Sequence, residues 1–175
     1  MRGARPAAAL LTLAVLAGCG SHSPAEPTDP SVGTPNRPST APVVGAYTLS
    51  ILPDPFCGLP VGPHSVAVQA AAAGTAARPE LRVTLPGGDT TLTVEMLYES
   101  PGRLRGSIGT VSPVAVGGGL ELFVRAVGEA DVSAAAGGRG EIADGRMVGD
   151  VELLRGGASL GSCPSVSHRF SLRAR

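Results

Sequence analysis

From residue 44 to the C-terminus, apolar and polar residues alternate with a period of two, and Gly- or Pro-marked breaks interrupt them. Successive side chains of a strand point to opposite faces, so this pattern predicts strands with one buried and one wet face, the antiparallel signature. Tyr47, Leu49 and Ile51 share a face against Thr48 and Ser50. Leu81, Val83 and Leu85 do so against Arg82 and Thr84, and Leu92, Val94, Met96 and Tyr98 against Thr93 and Glu95. The pattern recurs in Val66/Val68, Leu104/Ile108, Leu120–Ala126, Val151/Leu153 and Val166–Leu172, the last including His168 on the apolar phase. Two further strands are expected near 131–136 and 140–143, where Ala and Gly dilute the alternation.

The breaks read as tight turns: Pro86–Asp89, Ser100-Pro101-Gly102, Gly117–Gly119, Gly137-Gly138, Asp144-Gly145 and Gly156-Gly157. Glycine supplies the positive φ that short hairpins demand. Many consecutive short turns build a meander, in which each strand lies beside the next. The expected fold is all-β, an antiparallel up-and-down barrel of about eight to ten strands, with a two-sheet sandwich as the alternative. With no Trp and five aromatics, the core must be built from Val, Leu, Ile and Ala.

Residues 1–18 have the marks of a targeting segment. Arg2 and Arg5 precede an apolar run from Ala7 to Gly18, too short for a bilayer, which needs roughly 20 residues, but suited to a signal sequence. The run ends in Leu16-Ala17-Gly18-Cys19, which resembles the lipobox of bacterial lipoproteins. That resemblance implies cleavage before Cys19 and acyl chains on it, hence attachment to a membrane of the bacterial cell envelope. In a diderm this is the outer membrane or periplasmic face; otherwise it is the outer surface of the cell membrane. Two or three acyl chains hold stably where one does not.

Residues 19–43 read as a tether. Thirteen of the 24 residues from 20 to 43 are Ser, Thr or Pro, too polar to order by burial. Extended as polyproline II, such a stretch reaches roughly 75 Å. The folded domain is then 44–175.

Export places the remaining cysteines, Cys57 and Cys163, in an oxidising compartment, where they are expected to pair. Cys57 follows the first strand and Cys163 precedes the last. In a closed barrel with an even strand number those strands are antiparallel neighbours, so closure brings the two cysteines within reach. A sandwich with paired terminal strands also permits the bridge.

The domain resembles a lipocalin-type barrel in architecture. Gly45-Ala46-Tyr47 stands where that family has Gly-x-Trp, and Arg173 or Arg175 stands for its closing arginine. There is also a likeness to uncharacterised small bacterial lipoproteins in Cys57-Gly58-Leu59-Pro60, which carries no activity with it.

Motifs of chemistry are few. Gly157-Ala158-Ser159-Leu160-Gly161 matches a nucleophile elbow, but Cys163-Pro164 leaves no room for the helix the elbow needs. Gly138–Ala143 has dinucleotide-like spacing without a βαβ unit. His168, and with it His64 and Tyr47, are the pocket candidates. His64, His168 and Asp54 are expected near the cysteine-bearing end, but a metal needs three converging ligands and none is assigned. No nucleophile–base pair stands out, so no enzyme activity, catalytic residue or cofactor is expected. After Arg2 and Arg5 are removed, 12 basic and 14 acidic residues remain, a net charge of −2, with no basic stripe for nucleic acid. Two functions follow: a barrel holding a small apolar or amphipathic ligand, or a solid-cored structural or protein-interaction module of the envelope.

Overall fold

The computed structural model describes residues 39–175, so the signal segment, Cys19 and most of the tether lie outside the described residues. Among the described residues nine strands form: β1 Gly45–Leu52, β2 His64–Thr75, β3 Arg78–Thr84, β4 Leu92–Ser100, β5 Arg103–Thr110, β6 Val114–Gly117, β7 Leu120–Ala134, β8 Gly140–Arg155 and β9 Ala158–Ala174. Each pairs antiparallel with the next, except that β5 pairs with the second half of β7 and β6 with its beginning. β5 and β6 are thus one strand broken at Val111-Ser112-Pro113, where proline has no N–H to give the ladder. β1 pairs with β9, and the sheet closes as an eight-stranded up-and-down barrel.

Inward positions carry the alternating apolar residues. Tyr47, Leu49, Ile51, Leu81, Leu92, Met96, Leu104, Ile108, Leu122, Ile142, Met147 and Leu153 are fully buried. Eight strands enclose an interior just wide enough for such side chains to fill. The outer wall is charged, with five ion pairs at 3.2–3.8 Å, among them Arg82–Glu95 and Arg169–Asp144. Four of the five have both partners about half exposed, where each is worth about 0–1 kcal/mol. Apolar inside and charged outside is the reverse of a barrel that crosses a bilayer.

Several expectations need correction. Asp144-Gly145 is not a turn. It lies within β8, where the register against β9 shifts between Ile142 and Gly145. A Cβ on Gly145 would run into the Phe170 ring, so this glycine makes room for a core aromatic. The diluted segments near 131–136 and 140–143 are the end of β7 and the start of β8, not separate strands. Val166 is 74 % exposed despite sharing the phase of His168, because β9 bulges between Ser165 and His168. Cys163 lies inside β9, which begins at Ala158.

The chain enters at the barrel end formed by the start of β1 and the β7–β8 hairpin. Ser39 N–H donates to Val132 O at 2.6 Å, Gly140 N–H donates to Pro42 O at 2.8 Å, and Val43 is buried. Residues 39–43, placed in the tether by composition, therefore cover this end. Their ordering follows from Val43 and from backbone groups that find partners on β7 and β8.

Candidate functional site

Asp54, His168, Ser165 and the two cysteines meet at the opposite end. After β1 the chain turns through a short 3-10 helix, Pro55–Cys57. Asp54 caps it, its Oδ1 accepting from the Phe56 N–H at 3.0 Å, and Gly58 ends it at φ 67°. Cys57 and Cys163 lie within disulfide distance, Cα to Cα 5.6 Å. The Asp54 N–H donates to His168 Nδ1 at 2.9 Å, and His168 Nε2 faces the Cys163 carbonyl oxygen at 3.0 Å. Those partners assign the proton to Nε2 and complete the imidazole's bonding. Ser165 Oγ donates to Asp54 Oδ2. This bond, then the Phe56 N–H, holds the Asp54 carboxyl below the usual carboxylate range.

The three residues look like parts of a catalytic triad, but the connections are wrong for one. The serine bonds the carboxylate instead of the imidazole, and His168 is fully buried with both nitrogens engaged by backbone. The cluster is a fastening. It ties the segment after β1 to β9 beside the cysteine pair.

His64, the first residue of β2, is opposite Ile51 and has Nε2 3.3 Å from the Pro60 carbonyl. It stands on the other side of β1 from His168, and each ring has its own backbone partner. Among the described residues no group of three His, Cys, Asp or Glu converges to hold a metal. Tyr47 belongs to the other end. Its hydroxyl donates to Gly140 O at 2.8 Å, and burial, opposed by the nearby Arg139, raises its pKa. The arginine over its ring is Arg139, from the β7–β8 turn, with Cζ 5.9 Å from the ring centroid. Arg173 instead pairs with Glu141 at 3.3 Å, and the Arg175 carbonyl accepts from Arg139. The arginine over Tyr47 is therefore supplied by the β7–β8 turn, and neither Arg173 nor Arg175 of the last strand takes that place.

Ser159 and its flanking glycines form the β8–β9 turn and the first rung of β9, with Ser159 opposite Leu154. The Gly138–Ala143 stretch is likewise a hairpin turn running into β8.

The recesses lie at the rims and on the outer wall. One of about 390 Å³, beside the entering chain, is lined by Thr40, Pro79, Tyr98, Ser100, Pro101 and Gly102. Another of about 270 Å³ on the wall mixes Arg103 and Arg146 with Glu129, Asp131 and Asp144, so it selects neither sign of charge.

An exposed apolar pair at the cysteine-bearing end is not visible in the alternation pattern. The segment 53–63, fastened through Asp54 and Cys57, presents Phe56 and Val61 to solvent at 96 % and 95 % exposure. Val111, at the break between β5 and β6, is also exposed at this end. The other four aromatics, Tyr47, Tyr98, Phe123 and Phe170, are buried or half-buried. The available signal was position: Pro55-Phe56-Cys57 and Pro60-Val61-Gly62 fall between strands, where no alternation assigns them to the core.

Neither a family model, nor a curated protein, nor a solved structure matches this chain.

Proposed function

We propose that this chain is a lipid-anchored protein of the bacterial envelope whose solid barrel holds a protein-contact surface away from the membrane. The observation that carries this reading is an opposition of ends. The chain enters at the Tyr47–Arg139 end, while Phe56 and Val61 stand exposed on a fastened segment at the other. A tether from Cys19 would join the domain at the Tyr47–Arg139 end, which leaves the apolar tip at the end opposite the attachment. The packed interior favours this over the ligand-holding alternative. A drug-sized ligand needs a pocket of roughly 300 Å³ or more that encloses most of it. The barrel axis is occupied by Leu, Ile, Met and Val side chains, and the recess at Tyr98 is an open rim hollow. The reading gives no chemical step to Ser165 or His168.

Three measurements test it. Cys19→Ala is expected to abolish an N-terminal lipid mass and release the protein from membranes; an unchanged mass and fractionation would overturn the anchoring. Native mass spectrometry of the purified chain is expected to show the acylated polypeptide with no stoichiometric small molecule; a retained one would favour the ligand reading. A photoreactive residue at Phe56 is expected to cross-link to protein in intact cells, whereas one at Ala77, in the exposed β2–β3 turn at the entry end, is not.

A further inference from the structure

On the outer wall, β7 and β8 run side by side with a short pattern in direct register: Arg125 opposite Asp150, Val127 opposite Val148, Glu129 opposite Arg146. All six residues point outward and are exposed, the valines at 56 % and 50 %. Opposite charges facing across a strand pair would normally close on each other. Here they do not. Among the described residues neither charged pair comes within ion-pair distance. Glu129 turns to Arg103 at 3.6 Å, and the Arg125 guanidinium lies 5.4 Å from the Phe123 ring centroid. The β9 bulge lifts Val166 into solvent beside Val148, adding a third valine. The wall thus carries an apolar centre between two rows of opposite charges.

From this pattern we infer that the β7–β8 seam docks a second copy of the same chain, about a two-fold axis parallel to the strands. Rotation by half a turn about such an axis lays β7 of one copy over β8 of the other at the same height. Val127 then meets Val148 of the second copy, Arg125 meets its Asp150 and Glu129 meets its Arg146, each contact occurring twice. Sheets stacked in this way lie about 10 Å apart with strands within roughly 30° of parallel. The charge pattern also tolerates a two-fold perpendicular to the strands. That axis sends the two entry ends in opposite directions, so with both copies anchored in one membrane one tether must stretch back past the barrel, which favours the parallel axis. The choice of axis therefore rests on the anchoring proposed above. A convex barrel wall offers less than the roughly 800 Å² per partner of a standard interface, so the dimer is weak in solution and is favoured by confinement on a membrane.

Charge exchange tests the inference on the full chain in detergent, by density-matched sedimentation at high micromolar concentration. The wild type is expected to dimerise, and Arg125→Asp or Asp150→Arg each to weaken dimerisation at least about tenfold. The double variant R125D/D150R is expected to restore it, because each new charge still meets its opposite. About the perpendicular axis the double variant would set the introduced carboxylate at position 125 against Glu129, and the introduced guanidinium at position 150 against Arg146, and association would not return. A monomeric wild type, or no recovery in the double variant, overturns the inference. Disulfide trapping gives the second reading. A mixture of Val127→Cys and Val148→Cys chains is expected to cross-link more than either variant alone; self-linking of each variant alone would overturn the parallel axis. Wild-type dimers linked through Cys19 would overturn the anchoring, while the Val127–Val148 cross-link supports or overturns the seam whichever way the anchoring falls.

Discussion

The backbone N–H of Asp54 donates to Nδ1 of His168, 114 residues later, at 2.9 Å. The other ring nitrogen faces the carbonyl of Cys163, whose thiol partner is Cys57, three residues beyond Asp54. One imidazole and one cysteine pair therefore join the same two segments side by side, and His168 is read as structural.

His168→Leu is expected to strand the Asp54 N–H and the Cys163 carbonyl in a buried place. The cost should be on the order of 3 kcal/mol, read as a fall in the urea midpoint at unchanged slope. An unaltered midpoint would remove the histidine from the fastening.

Asp54 contributes to the acid limb of stability, as does Asp89, whose carboxyl is held down by Thr91. The folded pKa of Asp54 lies below the unfolded value, chiefly because the Ser165 hydroxyl donates to it. A depressed carboxyl stabilises fully above its unfolded pKa, about 3.9, and loses that contribution as pH falls through the lower folded value. Urea midpoints of wild type and Asp54→Asn are expected to differ at pH 6 and to converge toward pH 2. A difference that widens in acid would show the sign to be wrong.

The cysteine pair spans 106 residues. Closing a loop of that length stabilises by about 4–5 kcal/mol in the chain-entropy model, and real bridges often give less. Cys57→Ala/Cys163→Ala is expected to lower the thermal midpoint by many degrees and to speed protease cleavage within the already exposed 53–63 segment, which loses one of its fastenings. If reductant and the double substitution both leave the midpoint unchanged, the two thiols are free.

Gly106 and Gly109 lie three residues apart in β5 and should respond differently to alanine. A Cβ at Gly106 would strike the Glu95 carbonyl and the Met96 backbone, which cannot swing aside, whereas at Gly109 the nearest atom, Val124 O, is 3.9 Å away. Gly106→Ala is expected to cost about 2 kcal/mol or more, and Gly109→Ala under about 1 kcal/mol, by denaturant titration.

The barrel was legible because its evidence is local and repeated. Alternation marked the faces of β1, β3, β4 and β7, and the two cysteines flanking the meander pointed to the β1–β9 closure. What escaped were positions where one extra residue changes the phase. The bulges at Asp144 and Val166 reverse the direction of side chains that pure alternation assigns, and an Asp-Gly pair has the same composition in a bulge as in a turn. The break at Pro113 was not read as the corner where one barrel strand splits into β5 and β6. Of the candidate site residues, the inward direction of His168 was visible in its phase with Phe170 and Leu172. Its partners were not, because a backbone N–H from Asp54 and a carbonyl from Cys163 leave no trace in side-chain identity. The Val127–Val148 seam was equally hidden, since register between β7 and β8 depends on the extra β8 residue among Ala143–Gly145, opposite Ala130 and Asp131.

β1 lies between β2 and β9 and is the strand through which the N-terminal segment joins the barrel. Its ladder bonds run perpendicular to the strand direction. Tension applied through the N-terminus along β1 therefore loads both ladders in shear, all rungs together, instead of peeling them one at a time. Just past the far end of that strand, Cys57 is paired with Cys163 on β9. A pull entering from the N-terminal side therefore meets its resistance at the strand that takes the load, with the cysteine pair placed directly behind it.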